Sequence, residues 1–146
     1  MNVIVDASVL IKALLGSRGV WGILASLNHS FYAPQVILDE IRRHKAIICT
    51  YIHAPLEEFD AALNSLGCFV QILEPDSYAQ YLAKAKTSME SRDPSDADYV
   101  AAAISIGADF IWTEDKDFSA QKLARVKTTS QFIDERKQGE PTNGSP

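Results

Sequence analysis

Short apolar runs alternate along the chain with longer stretches of helical spacing. Val3-Ile4-Val5 is apolar and β-branched, the pattern of a strand buried on both faces of a parallel sheet. Asp6 closes it, and Ser8 stands where a helix cap is expected, ahead of a helix over 9–15. Gly16-Ser17-Arg18-Gly19 breaks that helix, and helical spacing resumes over 20–27. A second strand is expected over 30–33. Pro34 then suits the first turn of a helix running to about residue 45, whose apolar face of Val36, Ile37 and Ile41 carries Glu40 beside it. Residues 46–49 fit helix or strand equally. Pro55 opens a helix through about residue 66, ended by Gly67. A third strand over 69–73 and a helix over 77–89 follow. Asp93-Pro94-Ser95-Asp96 is a turn that feeds a helix over 97–106, stopped by Gly107. Phe110-Ile111-Trp112 reads as the next buried strand, 126–128 as an edge strand and 132–136 as a closing helical turn. Residues 138–146 carry Gly, Pro, Ser and Asn without periodicity, so a disordered tail is expected there.

Strands that alternate with helices predict an α/β fold: three layers, α/β/α, Rossmann-like, around a mainly parallel sheet of four to five strands. The chain has 146 residues, enough for one domain with its own core, expected over 1–137. With 47% hydrophobic and 23% charged residues, most of it should pack. No apolar run is long enough to span a bilayer, and the first residues read as a strand rather than a leader, so no membrane association is expected. Two cysteines form no disulfide framework or metal knuckle, and the expected setting is cytoplasmic. The net charge of −5 argues against bulk electrostatic coating of nucleic acid, but not against an enzyme acting on it.

The acids carry the chemistry. In an open parallel sheet, ligands bind at the carboxyl ends of the strands, near the point where strand order reverses. Asp6 follows the first strand directly, Asp115 lies three residues beyond Trp112, Asp96 starts a helix, and Glu40 rides the helix after the second strand. Singly, each fits a turn former, a cap or a solvated face. As a set they would meet at one edge, where mutual repulsion and desolvation raise their pKa values unless a hard cation lies between them. No Ser-His or Cys-His pairing suggests covalent catalysis.

Three blocks resemble the PIN-domain nucleases, in order and across about residues 1–135. They are Val-Ile-Val-Asp6-Ala-Ser8, then Tyr32-Ala-Pro-Gln-Val-Ile-Leu-Asp-Glu40-Ile, then the span from Arg92-Asp-Pro-Ser-Asp96 through Gly107-Ala to Trp112-Thr113-Glu-Asp115-Lys-Asp-Phe118. The resemblance implies a PIN-like fold and a catalytic quartet of Asp6, Glu40, Asp96 and Asp115. Asp6, Asp96 and Asp115 would hold Mg²⁺ or Mn²⁺, and Glu40 would complete the shell or position water. Ser8 and Thr113 match small polar residues that orient carboxylates or water; Asp93 and Asp117 are supporting acids. Asp98 falls where many relatives carry an apolar residue or proline, and is expected at the solvent or cleft rim. Lys12 and Lys116 are the cations expected nearest the cleft, among other basic residues including Arg43; His44 and His53 receive no role. Similarity to the VapC-type toxin branch implies cleavage of single-stranded RNA, an antitoxin partner and a homodimer.

Three rivals remain at this level. A haloacid-dehalogenase-type, Mg²⁺-dependent phosphatase needs a second Asp where Ser8 stands. A response-regulator receiver needs an Asp closing a middle strand, where Glu74-Pro75 stands. A non-catalytic PIN-like module that binds RNA or protein is the third, since a PIN-like domain can lose activity, and the presence of all four acids weighs against it.

Overall fold

The computed structural model describes residues 1–89 and 94–139. Five strands form one parallel sheet in the order β3-β2-β1-β4-β5: β1 (Asn2–Val5), β2 (Ser30–Pro34), β3 (Val70–Leu73), β4 (Phe110–Trp112) and β5 (Val126–Lys127). The chain builds outward from β1 to β2 and β3, then returns to add β4 and β5 on the other side. Strand order therefore reverses between β1 and β4, and a crevice forms at the carboxyl ends of this pair. Val3, Ile4, Val5, Ile111 and Trp112 are fully buried, which explains why these strands read as unbroken apolar runs.

Helices flank the sheet in three layers. α1 (Ala7–Leu14) packs on α2 (Arg18–Leu24), α3 (Val36–Arg42) and α5 (Phe59–Leu66). α7 (Asp96–Ile106) lies against β1, β2 and β4, with α6 (Leu82–Ser88) beside it. α7 buries a near-continuous Tyr99-Val100-Ala101-Ala102-Ala103 run, whose small side chains let it approach the sheet closely. Gly107, at φ +60°, ends it in the left-handed conformation that glycine adopts without strain. No single helix among the described residues is long and apolar enough to cross a membrane.

Several boundaries differ from expectation. Ser8 is inside α1 rather than at its cap, because the helix begins immediately after Asp6. The ambiguous residues 46–49 are helical, in α4 (Lys45–Ile52), separated from α3 by a short break. The helix expected from Pro55 begins as a 3₁₀ turn, Leu56–Glu58, before α5. The expected helix over 77–89 is instead two 3₁₀ turns followed by α6. Tyr78 sits between those turns, fully buried, with its hydroxyl bonded to Asp98 at 2.7 Å, and that anchorage holds its backbone outside helical geometry. The closing helix, α8 (Thr129–Gly139), is longer than the turn expected at 132–136 and takes in the first two residues assigned to the tail. The rest of that expected tail, 140–146, lies outside the described residues.

Candidate metal centre at the switch point

Asp6 continues the β1–β4 ladder by one bond, its N–H donating to the Trp112 carbonyl at 3.0 Å. That register aims its carboxylate into the crevice while leaving the residue only 5% exposed. Two hydroxyls converge on the same oxygen: Thr113 Oγ1 donates to Oδ2 at 2.7 Å and Ser8 Oγ at 2.8 Å. Each hydroxyl is oriented in turn by a backbone donor, Asp115 N–H on Thr113 Oγ1 at 2.9 Å and Glu114 N–H on Ser8 Oγ at 3.1 Å. The loop after β4 thus fixes which oxygen of Asp6 is occupied. Burial still lifts the Asp6 carboxyl above its ordinary pKa, and the nearby Asp115 charge adds to it; the two hydroxyls only oppose the rise.

Glu40 enters from α3. Ser95 Oγ donates to its Oε1 at 2.6 Å and the buried Tyr99 hydroxyl to its Oε2 at 3.1 Å, both from the start of α7. Burial, then the Asp6 and Glu40 charges, drive the Tyr99 pKa far upward, so the phenol keeps its proton. Asp96, 4% exposed, opens α7. Asp115 precedes a 3₁₀ turn, Lys116–Ala120, and caps it by accepting the Asp117 N–H at 2.9 Å.

An open cleft of about 230 Å³ brings Asp6, Glu40, Asp96 and Asp115 together with Ser8, Arg43 and His44. A larger groove of about 750 Å³ beside β2 and β3 contains no acidic residue, so size does not mark the chemistry here. Asp96, Asp115 and Asp117 each offer a carboxylate oxygen within 4.8 Å of the others. Oxygen donors alone, drawn from carboxylates, suit a hard divalent cation such as Mg²⁺ or Mn²⁺. The donor set therefore fits such an ion.

The supporting residues divide. Ser8, Thr113 and Asp117 are at the site, Thr113 as a buried donor. Asp93 lies outside the described residues. Asp98 is half-buried as the acceptor of Tyr78 rather than at a solvated rim. Of the two expected phosphate-binding lysines, Lys12 faces Glu114 at 3.8 Å and neither lines the cleft; the basic residues that do are Arg43 and His44. His44 Nδ1 lies 3.0 Å from the Glu40 carbonyl, which only accepts, so Nδ1 carries the proton. Sequence reasoning gave His44 no role and passed over Ser95, Tyr99 and Glu114. Helical spacing held the clue for one of them: Tyr99 is three residues from Asp96, one turn along the same face of α7, whereas His44 lies in the break between α3 and α4.

A sequence comparison with curated proteins finds no match. Solved structures share the fold at low identity. VapBC2 from Rickettsia felis, bound to a DNA fragment from its promoter, is 14% identical with a TM-score of 0.71, over 88% of this chain and 98% of that one. VapBC-1 from nontypeable Haemophilus influenzae is 15% identical with a TM-score of 0.64, over 89% and 99%. VapC20 from Mycobacterium tuberculosis, a sarcin-ricin loop cleaving toxin, is 18% identical with a TM-score of 0.58, over 84% and 98%. A family model described as PIN domain matches residues 4–135, an interval running from within β1 into α8 and holding every acid of the cleft, and on that match the chain belongs to the PIN-domain family.

Proposed function

We propose that this chain is a divalent-metal-dependent endoribonuclease that hydrolyses phosphodiester bonds of single-stranded RNA in the cleft between β1 and β4. The observation that carries the reading is the meeting of four carboxylates, from segments far apart in sequence, in one open cleft. Like charges at this spacing, one of them buried against its own ionisation, are a standing cost unless a cation offsets them. Asp6, Asp96 and Asp115 would hold Mg²⁺ or Mn²⁺, with Asp117 in reach of the same point. The ion, when bound, supplies Lewis-acid stabilisation of the charge that develops on a phosphodiester under attack by water.

The remaining steps belong to the chain. Thr113 and Ser8 occupy Asp6 Oδ2, which leaves Oδ1 as the oxygen for a ligand. Glu40, held at both oxygens by Ser95 and Tyr99, orients the attacking water. Arg43 and His44, on the cleft wall, receive the RNA backbone. Membership of the PIN-domain family supports hydrolysis of nucleic acid, and the sarcin-ricin loop cleaved by VapC20 supports RNA as the substrate. The VapBC complexes support an antitoxin as partner, and on the same footing we propose a toxin role, self-association into a homodimer and a cytoplasmic setting.

Cleavage of an end-labelled single-stranded RNA with Mg²⁺ or Mn²⁺ tests the mechanism. Asp96→Asn is expected to lower the rate by about a thousandfold, the scale of several kcal/mol of transition-state stabilisation. Undiminished cleavage in excess EDTA, or by the Asp96→Asn chain, overturns it. A chain that binds RNA without cutting it at any metal concentration is a binding module instead.

A further inference from the structure

Tyr99 joins three of the four segments that bring an acid to the cleft. It lies on α7, one turn after Asp96. Its hydroxyl donates to Glu40 Oε2 on α3, and its helix packs against β1, the strand that Asp6 closes. Its ring meets Phe118 edge-on, centroids 5.9 Å apart and planes at 86°, inside the 3₁₀ turn that Asp115 caps. The residue is fully buried, so its rotamer is fixed by packing and its hydroxyl cannot swing to water.

Resting on the metal-dependent reading above, we propose that Tyr99 is the positioning residue of the quartet: its hydroxyl sets Glu40 relative to Asp6 and Asp96, and its ring sets the Asp115 turn. The geometry separates these tasks. The hydroxyl makes the hydrogen bond to α3, and the ring makes the aromatic contact with Phe118. A phenylalanine would keep the ring contact and the packing while leaving Glu40 Oε2 without this donor. Groups that orient ligand-bearing carboxylates govern metal affinity and turnover even when they touch neither metal nor substrate.

Tyr78 is the internal control. It too is fully buried and donates its hydroxyl to an acid on α7, Asp98 at 2.7 Å, and neither partner lines the cleft. The two Tyr→Phe variants therefore remove comparable bonds from the same helix, and only one of them lies in the site.

The test measures Mn²⁺ affinity by calorimetry on the full chain, alongside kcat and KM for RNA. Tyr99→Phe is expected to lower Mn²⁺ affinity or kcat by about 10- to 100-fold with KM little changed, whereas Tyr78→Phe leaves both near wild type. In a double-mutant cycle on whichever of the two quantities falls, Tyr99→Phe should cost much less in the Glu40→Gln background than alone, because its effect runs through Glu40. Wild-type affinity and turnover in Tyr99→Phe overturn the proposal, as do fully additive losses in the cycle or an equal loss in Tyr78→Phe. A Tyr99→Phe chain that unfolds while Tyr78→Phe stays folded assigns Tyr99 to stability and also overturns it. A wild-type chain that neither binds Mn²⁺ nor cleaves RNA defeats the functional reading itself, an outcome distinct from all of these.

Discussion

Asp6 and Glu114 flank the end of β4, joined through one hydroxyl, and the chain treats them in opposite ways. Ser8 Oγ donates to Asp6 and accepts the N–H of Glu114. Glu114 is neutralised locally: its Oε1 accepts the Thr129 N–H at the start of α8 at 2.8 Å, and Lys12 lies 3.8 Å from its Oε2. Burial alone would lift its pKa, but the Thr129 bonds and Lys12 hold it below the ordinary value of 4.5. Asp6 is more deeply buried, makes no ion pair among the described residues, and is lifted above its ordinary 3.8. Glu114 ties α8 to the sheet and strengthens the fold. The raised Asp6 carboxyl is a cost to the fold at neutral pH, and on the proposed reading it keeps a charge in the cleft for a bound cation, the pattern expected where function competes with stability.

Asp6→Asn should break that contrast with the largest effect. RNA cleavage is expected to fall by about a thousandfold, as for the other acids of the quartet. The metal-free variant should nevertheless unfold at a higher temperature than wild type at neutral pH, because a charge held against burial is gone. The linkage sign supports this. A carboxyl whose folded pKa is raised favours folding below its unfolded value and loses that stability as pH rises through the folded one. The advantage of Asn over Asp should therefore be near zero below pH 3.8 and grow toward neutrality. Saturating Mn²⁺ should reverse the order, raising the melting temperature of wild type and not of the variant. Thermal melts across pH, with EDTA and with Mn²⁺, check all three statements. A metal-free variant less stable than wild type at pH 7 would show that the Thr113 and Ser8 bonds outweigh the burial of the charge.

Much of this region was legible before any coordinates. β1 and β4 are buried on both faces, so their sequences are apolar without alternation, and Asp6 stands out as the first charge after the run. Placement of four acids at one sheet edge followed from where each sits relative to a strand end. The strand order did not, since nothing in Val126-Lys127 says which neighbour it pairs with. Nor did the interactions that decide the electrostatics. Glu114 and Asp115 are adjacent acids in one polar loop, and only the direction of each side chain, one toward α8 and one into the cleft, separates a tether from a candidate ligand. Tyr99 was passed over in the sequence, because its hydroxyl matters only once α3 has brought Glu40 opposite it. Ser8 looked like a cap because hydroxyls near helix starts usually are, and here the carboxylate two residues earlier takes the bond instead.

Glu114→Ala probes the other side of the comparison, with a smaller effect of opposite sign. Loss of the acceptor at Thr129 should cost about 1 kcal/mol at pH 7, the scale of a removed helix-terminal cap. The capping box that remains, Thr128 Oγ1 accepting from Gln131 N–H while Gln131 Oε1 accepts from Thr128 N–H, should keep α8 folded. Here the folded pKa is lowered, so the wild-type contribution is present above 4.5 and disappears as pH falls through the folded value. The cost of Glu114→Ala should shrink in that acid range, by urea unfolding at pH 7 and pH 3. A cost that stays constant with pH would mean that the Glu114 charge adds nothing beyond a neutral acceptor.

Lys12→Met separates the two regions most finely and carries the smallest expected change. Lys12 keeps 49% of its side-chain surface exposed and stands 3.8 Å from Glu114 Oε2, so the pair is screened and worth little, about 0.5 kcal/mol or less. Methionine preserves the aliphatic stem against α1 and removes only the ammonium. If Lys12 serves Glu114, stability should fall by no more than that amount, and KM for RNA should stay near wild type, because Lys12 does not line the cleft. If Lys12 instead reaches across the exposed rim to a phosphate, stability would hold while KM rose about tenfold, and the rise would fade with added salt as a counterion effect must. Paired urea melts and RNA-cleavage kinetics at two salt concentrations decide between a lysine that belongs to the fold and one that belongs to the substrate.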